Sequence, residues 1–357
     1  MPWHSNKSDV DGSTSAPRST PTETLAQIST EVPKTGVSHL MRKVCYALLP
    51  GTLVYVFAIN ASIIIQILLC CTSALIVEAT VLRIRKRPVK AGLLDSSALL
   101  AGWLLAFAIP PLAPWWIAVT GAVVAMLLGK HLFGGLGHNP FNPAMVAYAF
   151  LLISFPLEMT AWPVDRLALD ITAPSLIESA QAIFSIDALS GNDWDAMTRP
   201  TPLDRLKHAV NPGNEFLAEI RGTFALQTWE WINLAWLAGG LWLLWQRVIT
   251  YHIPVCVLAG LAIGHGAFNL VSDQATLDPL SAIFSGSAML GAFFIATDPV
   301  SAATTRLGKI IYALGIGLLT FVIRQFSGYP EGIAFAVLLM NCCAPVLDHY
   351  ISRRAEP

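Results

Sequence analysis

Two threonines in a proline-rich stretch are the side chains of this sequence best placed to carry an attached group. Thr198 and Thr201 lie in the run from Asp195 to Asp204, which reads Asp-Ala-Met-Thr-Arg-Pro-Thr-Pro-Leu-Asp. Prolines keep such a segment out of regular helix and hold it in a turn, so the two hydroxyls are exposed and rigidly presented. This presentation permits modification by an external enzyme, but a plain turn would look the same, and the residues alone leave both interpretations open.

Two helix-breaking segments carry the other polar groups that could bind a ligand. Residues 134–143 read Gly-Gly-Leu-Gly-His-Asn-Pro-Phe-Asn-Pro and contain Asn139 and Asn142, and the second segment contains Asp298 followed by Pro299. In a membrane, irregular backbone is tolerated only where it is buried in protein or lines a polar cavity. The asparagines offer donors and acceptors suited to a flavin edge or an ion, and the carboxylate of Asp298 favours a cation. The same residues are equally typical of turns and helix caps, so a purely structural role explains the pattern equally well.

Other kinds of site are disfavoured by residue spacing. The glycine-rich segment is not followed by Gly-Lys-Ser/Thr and does not follow a predicted strand, which argues against a phosphate loop or a dinucleotide site. The six cysteines form no Cys-x-x-Cys pair, so we expect neither an iron–sulfur nor a zinc site within the chain. We assign no catalytic acid, base or metal ligand. Glu78 and Asp348 are further ionisable residues in apolar stretches, compatible with a site or with the membrane interface.

The composition predicts an all-α polytopic membrane protein. Of the 357 residues, 54% are hydrophobic and 13% are charged, and the mean hydropathy is +0.58, whereas a soluble domain is about 25% charged. Residues 44–82 are too long for one span of about 20 residues and are predicted to fold back at 59–62. With these two helices we predict about ten spans, the others near residues 93–110, 112–129, 143–160, 229–247, 250–270, 280–297, 308–324 and 330–348.

The distribution of basic residues predicts the orientation of these spans. Lysines and arginines crowd residues 83–90 and mark every second loop thereafter, and such loops are usually cytoplasmic. Both termini are therefore predicted to be cytoplasmic, with a disordered polar tail at residues 1–41 and a short tail at 351–357. The long polar loop 161–228 falls on the periplasmic side. The formal net charge of −1 gives no indication of a nucleic-acid partner.

A weak internal repeat divides the spans into two halves. Residues 97–102 resemble 287–292, and residues 133–152 resemble 326–339. Because five helices separate the copies, the two halves would insert with opposite orientations, as in membrane proteins that place a site between inverted repeats. We therefore predict five-helix repeats at 42–160 and 229–350, joined by the loop 161–228.

The combined motifs lead to a known family. Residues 134–145, 229–240, 289–294 and 297–300 together resemble the D-type subunit of the Rnf-type ion-translocating oxidoreductase (electron transport) complex, a relative of the B-type subunit of the sodium-pumping NADH:quinone reductase. The likeness covers residues from about 42 to 350 and omits the N-terminal tail. It implies a membrane component of a bacterial inner-membrane complex that couples electron transfer between ferredoxin and NAD to sodium or proton transport.

The resemblance also implies a cofactor. In this family FMN is joined by a phosphoester to a threonine, in a pattern that Asp195, Thr198 and Thr201 match, although Pro200 stands where alanine is usual. Thr201 is therefore the expected attachment site, and Thr198 is the second candidate. A second, non-covalent flavin such as riboflavin is left open. The implied partners are the other membrane and peripheral subunits, a flavin transferase and the lipid bilayer.

Two alternatives remain at this stage. The closer one is the B-type component of a sodium-pumping NADH:quinone reductase, against which the shorter chain and the Thr-Pro-Leu-Asp ending argue. The other is a channel or secondary transporter without a redox role, which inverted repeats and broken helices would also suit. Flavin fluorescence that stays with the protein through denaturing electrophoresis would distinguish a flavoprotein from such a transporter.

Overall fold

The computed structural model describes residues 34–163, 174–184, 201, 203–204, 207, 228–272 and 277–355. Within these ranges every secondary-structure element is a helix. Residues 34–41, predicted to belong to a disordered tail, are helical instead, and so are residues 351–355 of the predicted C-terminal tail. The rest of the N-terminal tail lies outside the described residues, as do Asp195 and Thr198.

The first group of helices ends shortly before the long loop. Its members are α1 (Lys34–Ala58), α2 (Ser62–Ile84), α3 (Val89–Leu93), α4 (Ser97–Ala108), α5 (Trp115–Val124), α6 (Pro143–Ser154) and α7 (Pro156–Thr160). Helix α5 continues through π-helical turns at Ala125–Lys130 and a 3₁₀ turn at His131–Phe133. The chain folds back between α1 and α2, as the sequence predicted, and the Asn60 side chain accepts a hydrogen bond there from the Ser62 N–H at 2.8 Å.

The remaining helices belong to the loop and to the second half. They are α8 (Leu176–Phe184), α9 (Thr228–Trp245), α10 (His252–Val271), α11 (Pro279–Ile283), α12 (Ala288–Leu290), α13 (Arg306–Phe326) and α14 (Ile333–Ala355). Helix α12 runs on into a π-helical segment at Gly291–Ile295. Helix α8 packs against α2.

The helices confirm a polytopic membrane protein. Six of them in the described residues are long and apolar enough to cross a membrane: 36–58, 62–84, 115–133, 252–271, 306–326 and 333–351. Two shorter apolar helices, α4 and α6, accompany them. Large apolar side chains remain exposed along these helices, for example Phe57 at 74% and Leu270 at 89%, and in a bilayer such side chains face lipid rather than water.

Three predicted spans are interrupted for local reasons. The expected helix 93–110 begins only at Ser97, because Ser96 adopts a left-handed conformation (φ 63°) and the Asp95 carboxylate binds the next turn. The expected helix 143–160 is divided at Phe155 by the following proline. The expected helix 280–297 is divided by Gly286, which has a positive φ of 56°.

The two halves share one continuous hydrophobic core. Helix α1 lies against α9 so closely that a Cβ atom on Gly239 would overlap the Ala47 carbonyl oxygen. Trp236 of α9 fills the space beside Gly51 and packs edge-to-face on Phe107 of α4, with ring centroids 4.8 Å apart. The first long helices of the two halves therefore hold the bundle together.

Candidate functional site

Thr201 lies at the edge of a cavity lined by residues of both halves. The cavity has a volume of about 330 Å³, and the Thr201 side chain is partly buried. The Thr201 Oγ1 accepts a hydrogen bond from the Asp204 N–H at 3.2 Å, which fixes the hydroxyl at the start of a helical turn. The structure thus places the predicted attachment residue beside an internal space.

Aromatic side chains form much of the cavity wall, and we call this space the aromatic cavity. Its rings belong to Tyr55, Phe107, Tyr148, Trp162, Trp229, Trp236, Phe284 and Tyr329. Several of them stack edge-to-face, with centroid separations of 5.7 Å for Tyr55–Phe107 and 6.0 Å for Trp162–Trp229. Aromatic pairs of this kind favour fixed ring positions. A wall built this way suits a planar, largely apolar ring system.

An ion pair supports the polar side of the aromatic cavity. Arg324 Nη2 donates to both carboxylate oxygens of Glu331 at 2.9 Å. Its Nη1 donates to the Ala282 carbonyl and to Ser285 Oγ, each at 3.2 Å. The same carboxylate accepts from the Ser287 N–H at 2.9 Å. The pair therefore satisfies backbone groups that the break between α11 and α12 leaves without helical partners.

Gly286 makes this arrangement possible. Its φ of 56° lies in the left-handed region, which favours glycine. A Cβ atom at this position would overlap the Glu331 carboxylate and would lie 3.1 Å from Arg324 Nη2. The glycine thus allows this backbone conformation and leaves room for the ion pair beside it.

The electrostatic surroundings keep Glu331 ionised. Burial by itself would raise the pKa of this carboxyl group, but the Arg324 guanidinium and the Ser287 N–H lower the pKa below its ordinary value of 4.5. A carboxylate that is largely removed from water is stable only when it is paired and hydrogen-bonded in this manner.

The residues that follow Thr201 attach to the second half, and we call residues 201–207 the Thr201 segment. Leu203 packs against a cluster that includes buried Leu277 and Phe321. Lys207 Nζ donates to the carbonyls of Arg324 at 2.7 Å and Ile323 at 3.3 Å. These carbonyls lie in the last turn of α13, at the negative end of the helix dipole, which attracts a cation. Partial burial, which disfavours the charged ammonium, lowers the pKa of Lys207 below its ordinary value.

The other predicted site residues lie at the opposite end of α13. Asn142 caps α6, because its Oδ1 accepts from the N–H groups of Ala144 at 3.1 Å and Met145 at 3.3 Å. Asn139 Nδ2 donates to the Phe141 carbonyl at 3.0 Å. Its Oδ1 is buried and has no hydrogen-bond partner among the described residues.

Asp298 organises a turn of its own. Its carboxylate accepts from the Val300 N–H at 3.2 Å and from Ser301 Oγ at 3.0 Å. These two bonds stabilise the turn that follows the π-helical segment Gly291–Ile295. The structure therefore gives both Asn142 and Asp298 a capping role, whatever else they bind.

Asn341 joins the two helix breaks, and no motif in the sequence pointed to it. In the amide orientation that satisfies both of its polar atoms, Asn341 donates to the Ser301 carbonyl at 3.3 Å and to the Tyr312 hydroxyl at 2.7 Å. Its oxygen accepts from the Asn142 N–H at 3.2 Å. A lone amide in the apolar run of α14 was the available signal, since buried polar side chains in such helices hydrogen-bond to neighbours.

Comparison with known proteins identifies the protein family of this chain. The sequence profile described as the NQR2, RnfD, RnfE family matches residues 30–356, nearly the whole chain. The protein therefore belongs to the NQR2, RnfD, RnfE family.

Individual relatives agree with this assignment. The chain is 46% identical over 330 residues to proteins from Escherichia coli strains SE11 and 55989, each of which is named as the D-type component of an "Ion-translocating oxidoreductase complex". Each alignment covers 89% of this chain and 93% of the relative. A relative from strain IAI1 of serotype O8 matches equally well.

Proposed function

We propose that this chain is the membrane subunit of an ion-translocating oxidoreductase complex and carries electrons on an FMN joined to Thr201 by a phosphoester. The names of the relatives support the complex and its activity. The observation that carries the cofactor assignment is that Thr201 borders the aromatic cavity. Ligand pockets typically measure about 300–1,000 Å³, and the cavity falls in this range.

The residues around the cavity fit a flavin. The aromatic rings would bury the apolar body of the ring system, and the hydroxyls of Thr160, Ser281, Ser285 and Ser287 lie along the lining as hydrogen-bonding groups. The cofactor would supply one- and two-electron chemistry. The protein would tether it through Thr201 Oγ1, orient it and exclude water from it. The chain needs no acid or base catalyst for this role.

The finer topology belongs to the same proposal. We place about ten spans in two inverted repeats, 42–160 and 229–350, in a bacterial inner membrane. Both termini would be cytoplasmic and residues 161–228 periplasmic. The contact between α1 and α9, the first long helices of the halves, supports this pseudo-symmetry. So do the left-handed residues Ser96 and Gly286, each of which stands directly before a matched Ser-Ala pair.

The helix breaks at the proposed cytoplasmic side would border a second polar site. Asn139, Asn142 and Asp298 are its proposed members, and the support is the unpaired Oδ1 of Asn139 together with the Asn341 bridge. A non-covalent flavin such as riboflavin, or the coupling ion, would satisfy such a group. The other subunits of the complex and a flavin transferase are the proposed partners.

Substitution of Thr201 tests the attachment site. Thr201→Val should remove all flavin fluorescence from the protein band after denaturing electrophoresis, whereas the matched change Thr198→Val should leave the fluorescence intact. Mass spectrometry of the peptide spanning residues 195–207 should locate the added mass on Thr201. Fluorescence that survives in Thr201→Val would refute the assignment. A colourless parent protein that conducts solutes would refute the redox role itself.

Single cysteines test the topology. Cysteines placed within residues 164–173 or 185–200 of the long loop should react with an impermeant thiol reagent in intact spheroplasts. Labelling that appears only after the membrane is disrupted would put the Thr201 segment on the cytoplasmic side.

A further inference from the structure

Five cationic residues lie in the segment where α2 ends, and we call them the basic surface. Each of them is exposed; they are Arg83, Arg85, Lys86, Arg87 and Lys90. The ion pairs in the described part of the chain involve the carboxylates of Glu78 and Glu331, and neither of these pairs with the basic surface. Like charges held this close repel one another, so a bound anion would stabilise the surface.

The turn after α2 holds these cations close together. The Arg87 N–H donates to the Leu82 carbonyl at 2.9 Å, a bond that closes the C-terminus of the helix. Lys86 takes the left-handed position of this turn, with a φ of 53°. The chain then folds back, because Gly92 of α3 lies so close to Leu82 that a Cβ atom on the glycine would overlap the leucine side chain. Lys90 is thereby returned to the end of α2.

Two of the arginines are also anchored to the turn that follows α5. Arg85 Nη2 donates to the His131 carbonyl at 2.7 Å. Arg87 Nη1 donates to the Gly134 carbonyl at 3.3 Å. A guanidinium has several N–H donors, and each of these bonds occupies only one of them. The other donors are held in position for the oxygens of a phosphate group, which arginine binds in a bidentate manner.

Large apolar side chains are exposed beside these cations. Ile84 stands between two of the arginines in the last turn of α2 and is 76% exposed. Leu94 and Leu132, in the two neighbouring turns, are 63% and 67% exposed. Cations next to exposed apolar side chains are typical of the boundary between lipid headgroups and acyl chains. This combination favours a lipid over an acidic protein, whose polar surface would leave the apolar side chains uncovered.

We propose that the basic surface binds the headgroup of an anionic phospholipid. The phosphate oxygens accept hydrogen bonds from the arginine side chains, and the acyl chains lie against Ile84, Leu94 and Leu132. Clusters of about four to eight lysines and arginines beside a membrane-spanning helix attract anionic lipids in this way. Because Arg85 and Arg87 also bind the turn at 131–134, the bound lipid ties that turn to the end of α2. The site is separate from the proposed electron transfer and does not depend on a flavin.

The competing explanation is that these cations only set the orientation of the protein in the membrane. A topology signal acts during insertion, and it requires no particular lipid afterwards. A headgroup site instead predicts that the folded, purified complex prefers anionic lipid. This preference should weaken at high salt, because screening shortens the range of the attraction.

The experiment captures lipid on the assembled complex. The complex is placed in phosphatidylcholine nanodiscs that contain a small fraction of phosphatidylglycerol with a photoreactive headgroup. After irradiation, this chain is separated by denaturing electrophoresis and the adduct is located by mass spectrometry. We expect adducts within residues 83–97 and 131–138.

Removal of two cations should weaken the capture. Arg83 and Lys90 are the suitable targets, because the bonds to the turn at 131–134 belong to the other two arginines. Arg83→Gln combined with Lys90→Gln should lower the adduct yield about 25-fold, since each cation near a membrane surface contributes a factor of about five in affinity. The matched control is Arg306→Gln combined with Lys309→Gln, which removes the same charge from the start of α13. The control should leave the yield nearly unchanged.

Several results would overturn the proposal. Equal yields in the parent and the double variant, or equal capture of a phosphatidylcholine probe, would leave only the topology signal. Displacement of the probe by inorganic phosphate, but not by chloride at the same ionic strength, would indicate a site for a soluble anion. No adduct in the parent complex would mean that another subunit covers the basic surface. Size-exclusion chromatography reports assembly, and if the double variant fails to assemble, a loss of about fivefold in Lys90→Gln decides the question.

Discussion

The two ends of the bundle interrupt their helices in similar ways but satisfy the freed groups differently. At the aromatic cavity, the Arg324–Glu331 pair saturates the break between α11 and α12, and each charge has several partners. At the opposite end, the breaks are closed by side-chain caps and by the Asn341 bridge, while Asn139 Oδ1 and His131 Nδ1 keep unused hydrogen-bonding capacity.

This difference distinguishes a region that supports a bound group from a region that itself binds exchangeable groups. Saturated networks rigidify their surroundings, whereas partly satisfied ones imply a water, an ion or a ligand. Under the proposed function, the cavity end is a rigid frame for the flavin at Thr201, and the aromatic wall is its binding surface. The opposite end is interpreted as a region that exchanges protons, ions or water.

Removal of Arg324 should have the largest effect on the cavity end. Arg324→Met leaves the partly buried Glu331 carboxylate without its cation, and we expect a cost of about 3 kcal/mol, the lower end of the range for breaking a buried pair. Thermal unfolding followed by size-exclusion chromatography of the detergent-solubilised protein should show a strongly destabilised variant. The double change Arg324→Met with Glu331→Met should recover much of the loss, because no charge is then left unpaired. If the single variant is as stable as the parent, the pair does not support the cavity.

The pH dependence of stability follows from the same carboxylate. The pKa of Glu331 is lower in the folded protein than its ordinary value of 4.5, so the folded state binds fewer protons than the unfolded state below that pH. The stabilisation is fully present above pH 4.5 and is lost as the pH falls through the lowered pKa. Glu331→Gln should flatten this acid limb of a stability–pH curve. An unchanged acid limb would assign the loss to other carboxylates.

Loss of Lys207 should have a smaller effect, confined to the Thr201 segment. Its hydrogen bonds to the last turn of α13 contribute about 1 kcal/mol, equivalent to roughly a fivefold change in the docked fraction. If Thr201 carries the proposed flavin, Lys207→Met should make that flavin more accessible to iodide quenching, while Lys207→Arg should keep it protected because the cation at the helix end remains. Equal quenching in parent and Lys207→Met would show that Leu203 docks the segment alone.

Much of the fold was predictable because its signals are local. The length of the apolar runs placed most of the helices, and the fold-back predicted at 59–62 was correct, with the Asn60 side chain accepting from the Ser62 N–H at that point. The interruptions at Ser96 and Gly286 were missed since hydropathy does not report backbone conformation. Pro156, in contrast, is a helix breaker that is visible in the sequence, but the long apolar run led to the prediction of one continuous helix over residues 143–160.

The candidate site was predictable only in part. The resemblance singled out Thr201, but the aromatic cavity is assembled from residues as distant in sequence as Tyr55 and Tyr329. No local pattern reports which rings meet in space. The same holds for the contact of Glu78 with Lys130 and His131, because Glu78 lies more than fifty positions before these two residues and meets them only through the packing of α2 on α5.

The smallest predicted effect concerns Asn142 and distinguishes a cap from a ligand. Removing an N-cap side chain costs about 1 kcal/mol, so Asn142→Ala should lower the unfolding temperature slightly. Asn142→Ser should not, because a serine oxygen can accept from the same N–H groups. If Asn142 only caps α6, then non-covalent flavin content and ion transport should be normal in Asn142→Ser. If the amide also holds a ligand beside Asn139, Asn142→Ser should be as stable as the parent but should lose that flavin or that transport. A stable variant with a lost function would thus show that Asn142 binds a ligand in addition to capping α6.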